Sequence, residues 1–504
     1  MSTGIVGRAT ATTLIGVHAH VVLIETVILP GLPHYSIIGL PDTAVSEARE
    51  RLRASFSYVG LPWPRERVTI NLSPSALPKT GTGLDVGLAI AILAAQGYKP
   101  LEDKVLALGE LGLDGTIRPI RGVLPSVVAA QEQGFTTVIV PESNAGEAQL
   151  VKGIKVIPVA HLAQIAQWMG GGVEPTCSCS HQSSQQSVTT GKKIGDMADI
   201  YGQPDALFGA EVAAGGGHHI LMIGSPGVGK SMIAQRMPDI LPNLTDQQAI
   251  EVAIIRSIQG ISSTHLDYRP PIAAPHHSAS IASLIGGGST IARPGAITSA
   301  HHGLLYCDEF SEFSPRAIQA LREPLETGQI DIARCAAVVH FPARFQLVAA
   351  TNPCPCGKRL DGAGACSCTS RDLRTYQTRL GGPVRDRIDV VIHLNRPTRA
   401  DIQHGPTATT EQMRERVQQA RQRQYTRQQT LNSQLSGTWL RAHTPLSSTM
   451  SKLFDTRLRS GQLSMRGMDR IMRLAWTVCD LAGHQHPTDD DLALAFSLRT
   501  ALEE

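Results

Sequence analysis

No apolar run in the chain approaches the length of a membrane span, which excludes an anchor of the transmembrane-helix kind. Its start, Met1-Ser2-Thr3-Gly4-Ile5-Val6-Gly7, lacks the charged then apolar plan of a secretory signal, so a cytoplasmic protein without membrane contact is expected. Cysteine is scarce, nine in 504 residues, too few for a disulfide framework; in a reducing cytosol such thiols stay free or bind metal. An excess of one charge is missing too. A formal net charge of +3 dictates no polyanion partner, and any nucleic-acid surface must be local. At this length a single core is excluded as well, and two or three domains are expected.

What is present begins with Gly224-Ser225-Pro226-Gly227-Val228-Gly229-Lys230-Ser231, a G-x-x-x-x-G-K-[ST] loop after the apolar run Ile220-Leu221-Met222-Ile223 and before a helix-compatible segment at 232–237. Glycines at this spacing let backbone N–H groups close around phosphate oxygens. Lys230 supplies a cation to the outer phosphates, and Ser231 a hydroxyl ligand for Mg²⁺. Binding alone is not hydrolysis, which needs an acidic element to hold the metal and prepare water. The strand-like run 303–307 ends in Asp308-Glu309, where ligands of parallel sheets gather. Asp308 is placed to hold Mg²⁺ and Glu309 to act as general base. A third such run, 346–350, ends in Thr351-Asn352 and offers Asn352 as a sensor of the γ-phosphate. No Asn-Lys-x-Asp element favouring guanine occurs, which leaves ATP as the expected nucleotide.

Residues 1–169 read as mixed α/β, with strands around 21–24, 68–71 and 137–140. Residues 170–193 are rich in Gly, Ser, Thr and Gln and read as a flexible linker, with Cys177 and Cys179 in it as incidental thiols. Apolar strands recur between helices over 194–397, and 398–504 is helical. In that last region 411–429 carries Arg414, Arg416, Arg421, Arg423 and Arg427, either a solvated face or a surface toward DNA. Cys354, Cys356, Cys366 and Cys368 form C-x-C-x₉-C-x-C; four thiolates satisfy tetrahedral Zn²⁺, the alternative being free thiols. Cys307 and Cys335 read as ordinary buried residues.

Together these motifs resemble the AAA+ ATPases. Pro275-His276-His277-Ser278-Ala279-Ser280, Gly286-Gly287-Gly288-Ser289, Arg293-Pro294-Gly295, Ala300-His301-His302-Gly303, Asn352-Pro353-Cys354-Pro355-Cys356-Gly357 and Gly381-Gly382-Pro383 with Asp386-Arg387-Ile388-Asp389 resemble the magnesium-chelatase-like YifB/ComM family. The resemblance implies an AAA+ core with a helical lid, assembled as a homo-oligomeric ring, a hexamer, in which an arginine of one subunit completes its neighbour's site. Arg387 resembles that finger, with Arg385 the runner-up, and Arg466 in Ser464-Met465-Arg466-Gly467 resembles the lid's sensor arginine. Residues 78–83, 109–115 and 118–122 resemble the Lon protease domain, but Thr82-Gly83-Leu84-Asp85 and Gly122-Val123-Leu124-Pro125 stand where the catalytic Ser and Lys belong. The expected fold is therefore an AAA+ P-loop ATPase core with a helical lid, preceded by an inactive Lon-protease-like α/β domain. The family's activity implies ATP-driven migration of branched or single-stranded DNA in natural transformation. A magnesium-chelatase-like metal-insertion motor and an ATP-switched DNA-binding scaffold are the alternatives.

Overall fold

The computed structural model of the protein describes residues 5–172, 195–288, 292–333, 338–362, 364–379, 384, 386–403, 405, 407–444 and 446–500. The expected linker lies outside the described residues beyond Gly172, as do Cys177, Cys179, Ser289, Cys335, Gly381, Gly382, Pro383 and Arg385.

Alternation builds the N-terminal region. Strands β1 (Val6–Ile15), β2 (His18–Leu29), β3 (His34–Ile38) and β4 (Arg67–Ser73) form a sheet in the order β1-β2-β4-β3, antiparallel except for β3 against β4. On β4 every second residue, Val68, Ile70 and Leu72, is buried, the period of a half-covered sheet. The cover includes the helix Asp85–Ala95, apolar around nearly its whole circumference and buried throughout. Further along, β5 (Val105–Ala107) pairs in parallel with β8 (Thr137–Pro141) and β8 with β9 (Lys155–Val159), while β6 (Glu110–Leu111) and β7 (Ile117–Arg118) make a hairpin.

The second sheet is parallel. It joins β10 (Ile220–Gly224), β11 (Ile272–Ala273), β14 (Leu304–Cys307), β17 (Gln346–Thr351) and β18 (Val390–Leu394) in the order β11-β14-β17-β10-β18. Two antiparallel pairs leave it, β12 (Gly286–Gly287) with β13 (Arg293–Pro294) and β15 (Gln329–Ala333) with β16 (Val338–Pro342). Interior strands of parallel sheets are covered on both faces, and β10 is buried at all of its positions. Ile220 and Met222 face one core with Val348, Val390 and Ile392; Leu221 and Ile223 face the other with Leu305, Leu347 and Val391. The register aligns the carboxyl ends of β10, β14 and β17, so Gly224, Asp308 and Asn352 come to one edge.

The C-terminal helices close the first of those cores. Ile471, Leu474, Ala475 and Val478 of the helix Met465–Ala482 recur at i, i+3, i+4 and i+7 and pack on the sheet side of Ile220 and Met222. The helix Thr410–Gln428, opened by a capping box between Thr409 and Gln412, carries the five arginines. They neither face open solvent as a group nor form a free basic surface. Arg416 pairs with Glu211 (2.9 Å), Arg421 donates to the Ala214 carbonyl (2.7 Å), Arg423 donates to the Asp480 carbonyl, and Arg427 grips the Asp480 carboxylate at 2.7 and 2.9 Å. Arg414 donates to Asn243 at 2.8 Å. Burial pushes the pKa of Arg421 down to about 10, a sign of how far its guanidinium is withdrawn from water. Arg414, Arg416 and Arg421 tie this helix to the core, and Arg423 and Arg427 tie it to the helix Met465–Ala482.

Candidate functional site

The loop between β10 and the helix Lys230–Ile240 has the shape its glycines permit. Gly227 and Gly229 adopt φ of +79° and +102°, and no atom lies within 4 Å of where a Cβ would stand on either. A hollow therefore remains above the loop, at the N-terminus of a helix, where anions are favoured. Lys230 sits beneath it, its Nζ donating to the carbonyls of Gly224 (2.5 Å) and Ser225 (3.0 Å) and to Asn352 Oδ1 (3.3 Å). Burial lowers its pKa, against the pull of Asp308 and Glu309. Ser231 Oγ donates to Asp308 Oδ2 at 3.1 Å, and the Tyr306 hydroxyl donates to Ser231 Oγ at 3.1 Å. A hydroxyl and a carboxylate at that separation present oxygen donors to one hydrated Mg²⁺. Hollow, lysine and oxygen pair fit a nucleotide with its metal: residues 224–231 would hold the phosphates, and Ser231 with Asp308 the ion.

Glu309 differs from its neighbour. Asp308 spends Oδ2 on Ser231 and Oδ1 on the Glu309 N–H (2.9 Å), whereas Glu309 is exposed and meets His277 Nδ1 at 3.0 Å. Its backbone is left-handed, φ +48°, a conformation costing a non-glycine residue about 1–3 kcal/mol and concentrated at functional sites. Asn352, at the tip of β17, is anchored from behind by Tyr376, whose hydroxyl donates to the Asn352 carbonyl at 3.1 Å. Thus Lys230, Ser231, Asp308, Glu309 and Asn352 gather at the carboxyl edge.

Arg387 and Arg466 do not join them. Both line a cleft of about 1500 Å³ together with His219, Gly303 and Gln346, which mark the amino edge of the same sheet, and no residue of 224–231 lines it. The edges are a strand length apart, about 16 Å at about 3.3 Å per residue. Arg387 is buried and paired with Glu326. Burial, with Arg322, Arg470 and Arg466 nearby, lowers its pKa, as expected where several cations crowd.

Sequence reasoning missed Asp361 beside the P-loop and, away from it, the contact of Glu251 with His301 and His302. Asp361 accepts from Ser225 Oγ at 2.7 Å and forms a bidentate pair with Arg396 at 3.0 Å. Near the amino edge, His301 and His302 meet Glu251 at 3.2 and 2.6 Å, a grouping with the composition of a metal site. The tautomer argues otherwise: the Arg344 N–H donates to His301 Nδ1 (3.0 Å), so in a neutral ring Nε2 carries the proton and donates to Glu251. Burial keeps that ring neutral by pushing its pKa down to about 4. His301 is therefore a structural hydrogen-bonder. In the Lon-like region Lys79 donates to the Pro74 carbonyl and Ser126 to the Gly122 carbonyl (2.8 Å). Cys307 is buried, which pushes its thiol up to about 12. Cys354, Cys356, Cys366 and Cys368 bring their sulfurs within 4.8 Å of one another. No described helix is long and apolar enough to cross a membrane.

Residues 196–402 match the family model described as magnesium chelatase, subunit ChlI; residues 24–144 match subunit ChlI of Mg-chelatase, and 407–499 the ChlI C-terminal model. An uncharacterized protein of Mycobacterium tuberculosis is 43% identical over 501 residues, 98% of each chain. YifB of Escherichia coli is 35% identical over 96% of this chain and 95% of its own. Competence protein ComM of Haemophilus influenzae is 36% identical over the same shares, 96% and 95%. Over only 32% of this chain, Lon protease 2 of Herpetosiphon aurantiacus is 28% identical, covering 21% of that protein.

Proposed function

The chain belongs to the YifB/ComM family of magnesium-chelatase-like AAA+ proteins, and from that premise we propose that it is an ATPase acting as a homo-oligomeric ring, a hexamer, to move DNA branches. One observation carries the ring: the phosphate-binding residues stand at one edge of the sheet and the candidate arginines at the other. A single chain therefore does not complete its own site, and head-to-tail packing of copies would bring Arg387 and Arg466 of one against the loop 224–231 of the next.

In that site Lys230 would neutralise the outer phosphates, and the backbone N–H groups of Gly227, Val228 and Gly229 would orient them. Ser231 and Asp308 would hold Mg²⁺, which would supply positive charge against the charge developing on the phosphates. Glu309 would take the proton of the attacking water while Asn352 fixes its line of approach.

The DNA reading is supported by the 36% identity to a competence protein over nearly the whole length. The N-terminal region does not separate the chain from a chelatase subunit, because it too matches a model described as ChlI. A metal-insertion motor therefore remains the second reading. The test is the purified protein with ATP and Mg²⁺ on a synthetic four-way DNA junction. Conversion of the junction to migrated products, absent with Glu309→Gln, is the expected result. ATP hydrolysis with a stationary junction would sink the DNA-moving part and favour the second reading.

A further inference from the structure

The segment between Asn352 and the helix Ser370–Arg379 is polar, rich in glycine and half exposed, and hydrophobic burial does not explain its shape. Its four cysteines do. Sγ separations are 3.4 Å for Cys354 and Cys356, 3.7 Å for Cys354 and Cys366, and 3.6 Å for Cys356 and Cys366. A tetrahedral ion with Zn–S bonds of about 2.3 Å sets its sulfurs about 3.8 Å apart. Disulfides require about 2.05 Å, and the whole set, within 4.8 Å, leaves room for one ion rather than an iron–sulfur cluster.

The centre is built into the nucleotide site. Cys354 lies two residues beyond Asn352 and is fully buried. Gly357, at φ +75°, stands so close to the P-loop that a Cβ there would meet Pro226 Cδ at 3.0 Å. The loop between the cysteine pairs carries Asp361, which joins Ser225 of the P-loop to Arg396 just past β18. Beyond the second pair, Tyr376 returns to Thr351 at 3.1 Å and to the Asn352 carbonyl at 3.1 Å. The segment thus touches the phosphate loop on one side and the sensor strand on the other, with no apolar core of its own to hold it.

We propose that Cys354, Cys356, Cys366 and Cys368 hold one Zn²⁺ that braces the wall of the nucleotide site through Asp361. The coupling rests on the nucleotide-site reading, whereas the zinc itself is measured without nucleotide or DNA. Metal analysis of the full-length protein purified without chelator is expected to find one zinc per chain, and Cys366→Ser to lose it. Cys366→His, which keeps a tetrahedral donor set, should retain zinc and guard against a folding artefact. Asp361→Ala should keep its zinc yet bind a fluorescent ATP analogue about tenfold more weakly. Stripping zinc from the wild type should weaken binding likewise, and zinc chloride should restore it. A metal-free wild type whose four thiols all react with a thiol reagent in the native state overturns the zinc. Unchanged analogue affinity in both Asp361→Ala and the stripped protein overturns the coupling. A wild type that holds zinc but binds no analogue overturns the nucleotide reading and the coupling with it, and leaves the zinc standing.

Discussion

Glu309→Gln is expected to bind ATP about as tightly as the wild type and to lose turnover by about 10²–10⁴, the usual worth of a positioned general base. In free energy that is about 3–5 kcal/mol of barrier. The substitution keeps size and hydrogen-bonding capacity but removes the ability to accept a proton. The choice between the two acids follows from what each already does. Asp308 has both carboxylate oxygens engaged, with Ser231 and with the N–H of Glu309, which suits a metal-holding role. Glu309 is exposed, sits in a left-handed backbone conformation and has His277 against its carboxylate, so it can turn toward a water beside the phosphate loop. Quench-flow turnover and equilibrium binding of a fluorescent nucleotide, measured on the same preparation, separate the two effects. Normal hydrolysis by the variant would remove Glu309 as the base, and loss of binding would mean that it holds the nucleotide instead.

What sequence made legible here was local in the chain. Residues 224–231 are contiguous, and the turn geometry they need is written in their own glycines. Asp308 and Asn352 were readable because each follows an apolar run that could only be a buried strand, and parallel strands end at a common edge. The cysteine spacing was readable for the same reason. Asp361 was not, because its partners Ser225 and Arg396 stand 136 and 35 residues away and an aspartate in a glycine-rich loop has no pattern. The arginines of the helix Thr410–Gln428 misled in a related way. Charge on a helix suggests solvent or polyanion, but Arg421 spends its guanidinium on a carbonyl 207 residues away and Arg427 on a carboxylate 53 residues away. Motif order located Arg387 and Arg466 in the chain, yet it carries no information about which edge of the sheet they occupy.

That edge makes the other large effect a test of assembly. Arg387→Ala is expected to lower turnover by about 10³–10⁵ while leaving nucleotide affinity largely intact, because a finger acts on the charge that develops during transfer. Lys230→Ala is expected to abolish nucleotide binding, since it removes the buried cation under the phosphate hollow. Each variant alone is inactive, but their defects lie on opposite edges of the chain. If Arg387 serves the neighbouring subunit, an equimolar mixture forms some interfaces with an intact Lys230 loop facing an intact Arg387. Random mixing in a head-to-tail ring yields about a quarter of interfaces of that kind. ATPase activity should therefore reappear on mixing, after the rings are dissociated and allowed to exchange subunits. The control is Lys230→Ala mixed with Glu309→Gln, whose defects share one edge of one chain and have no interface in which both are repaired. Recovery in the first mixture and not in the second is the signature of a site shared between subunits. If neither recovers, although exchange is shown by labelled subunits, Arg387 acts within its own chain or not at all, and the ring proposal loses its main support.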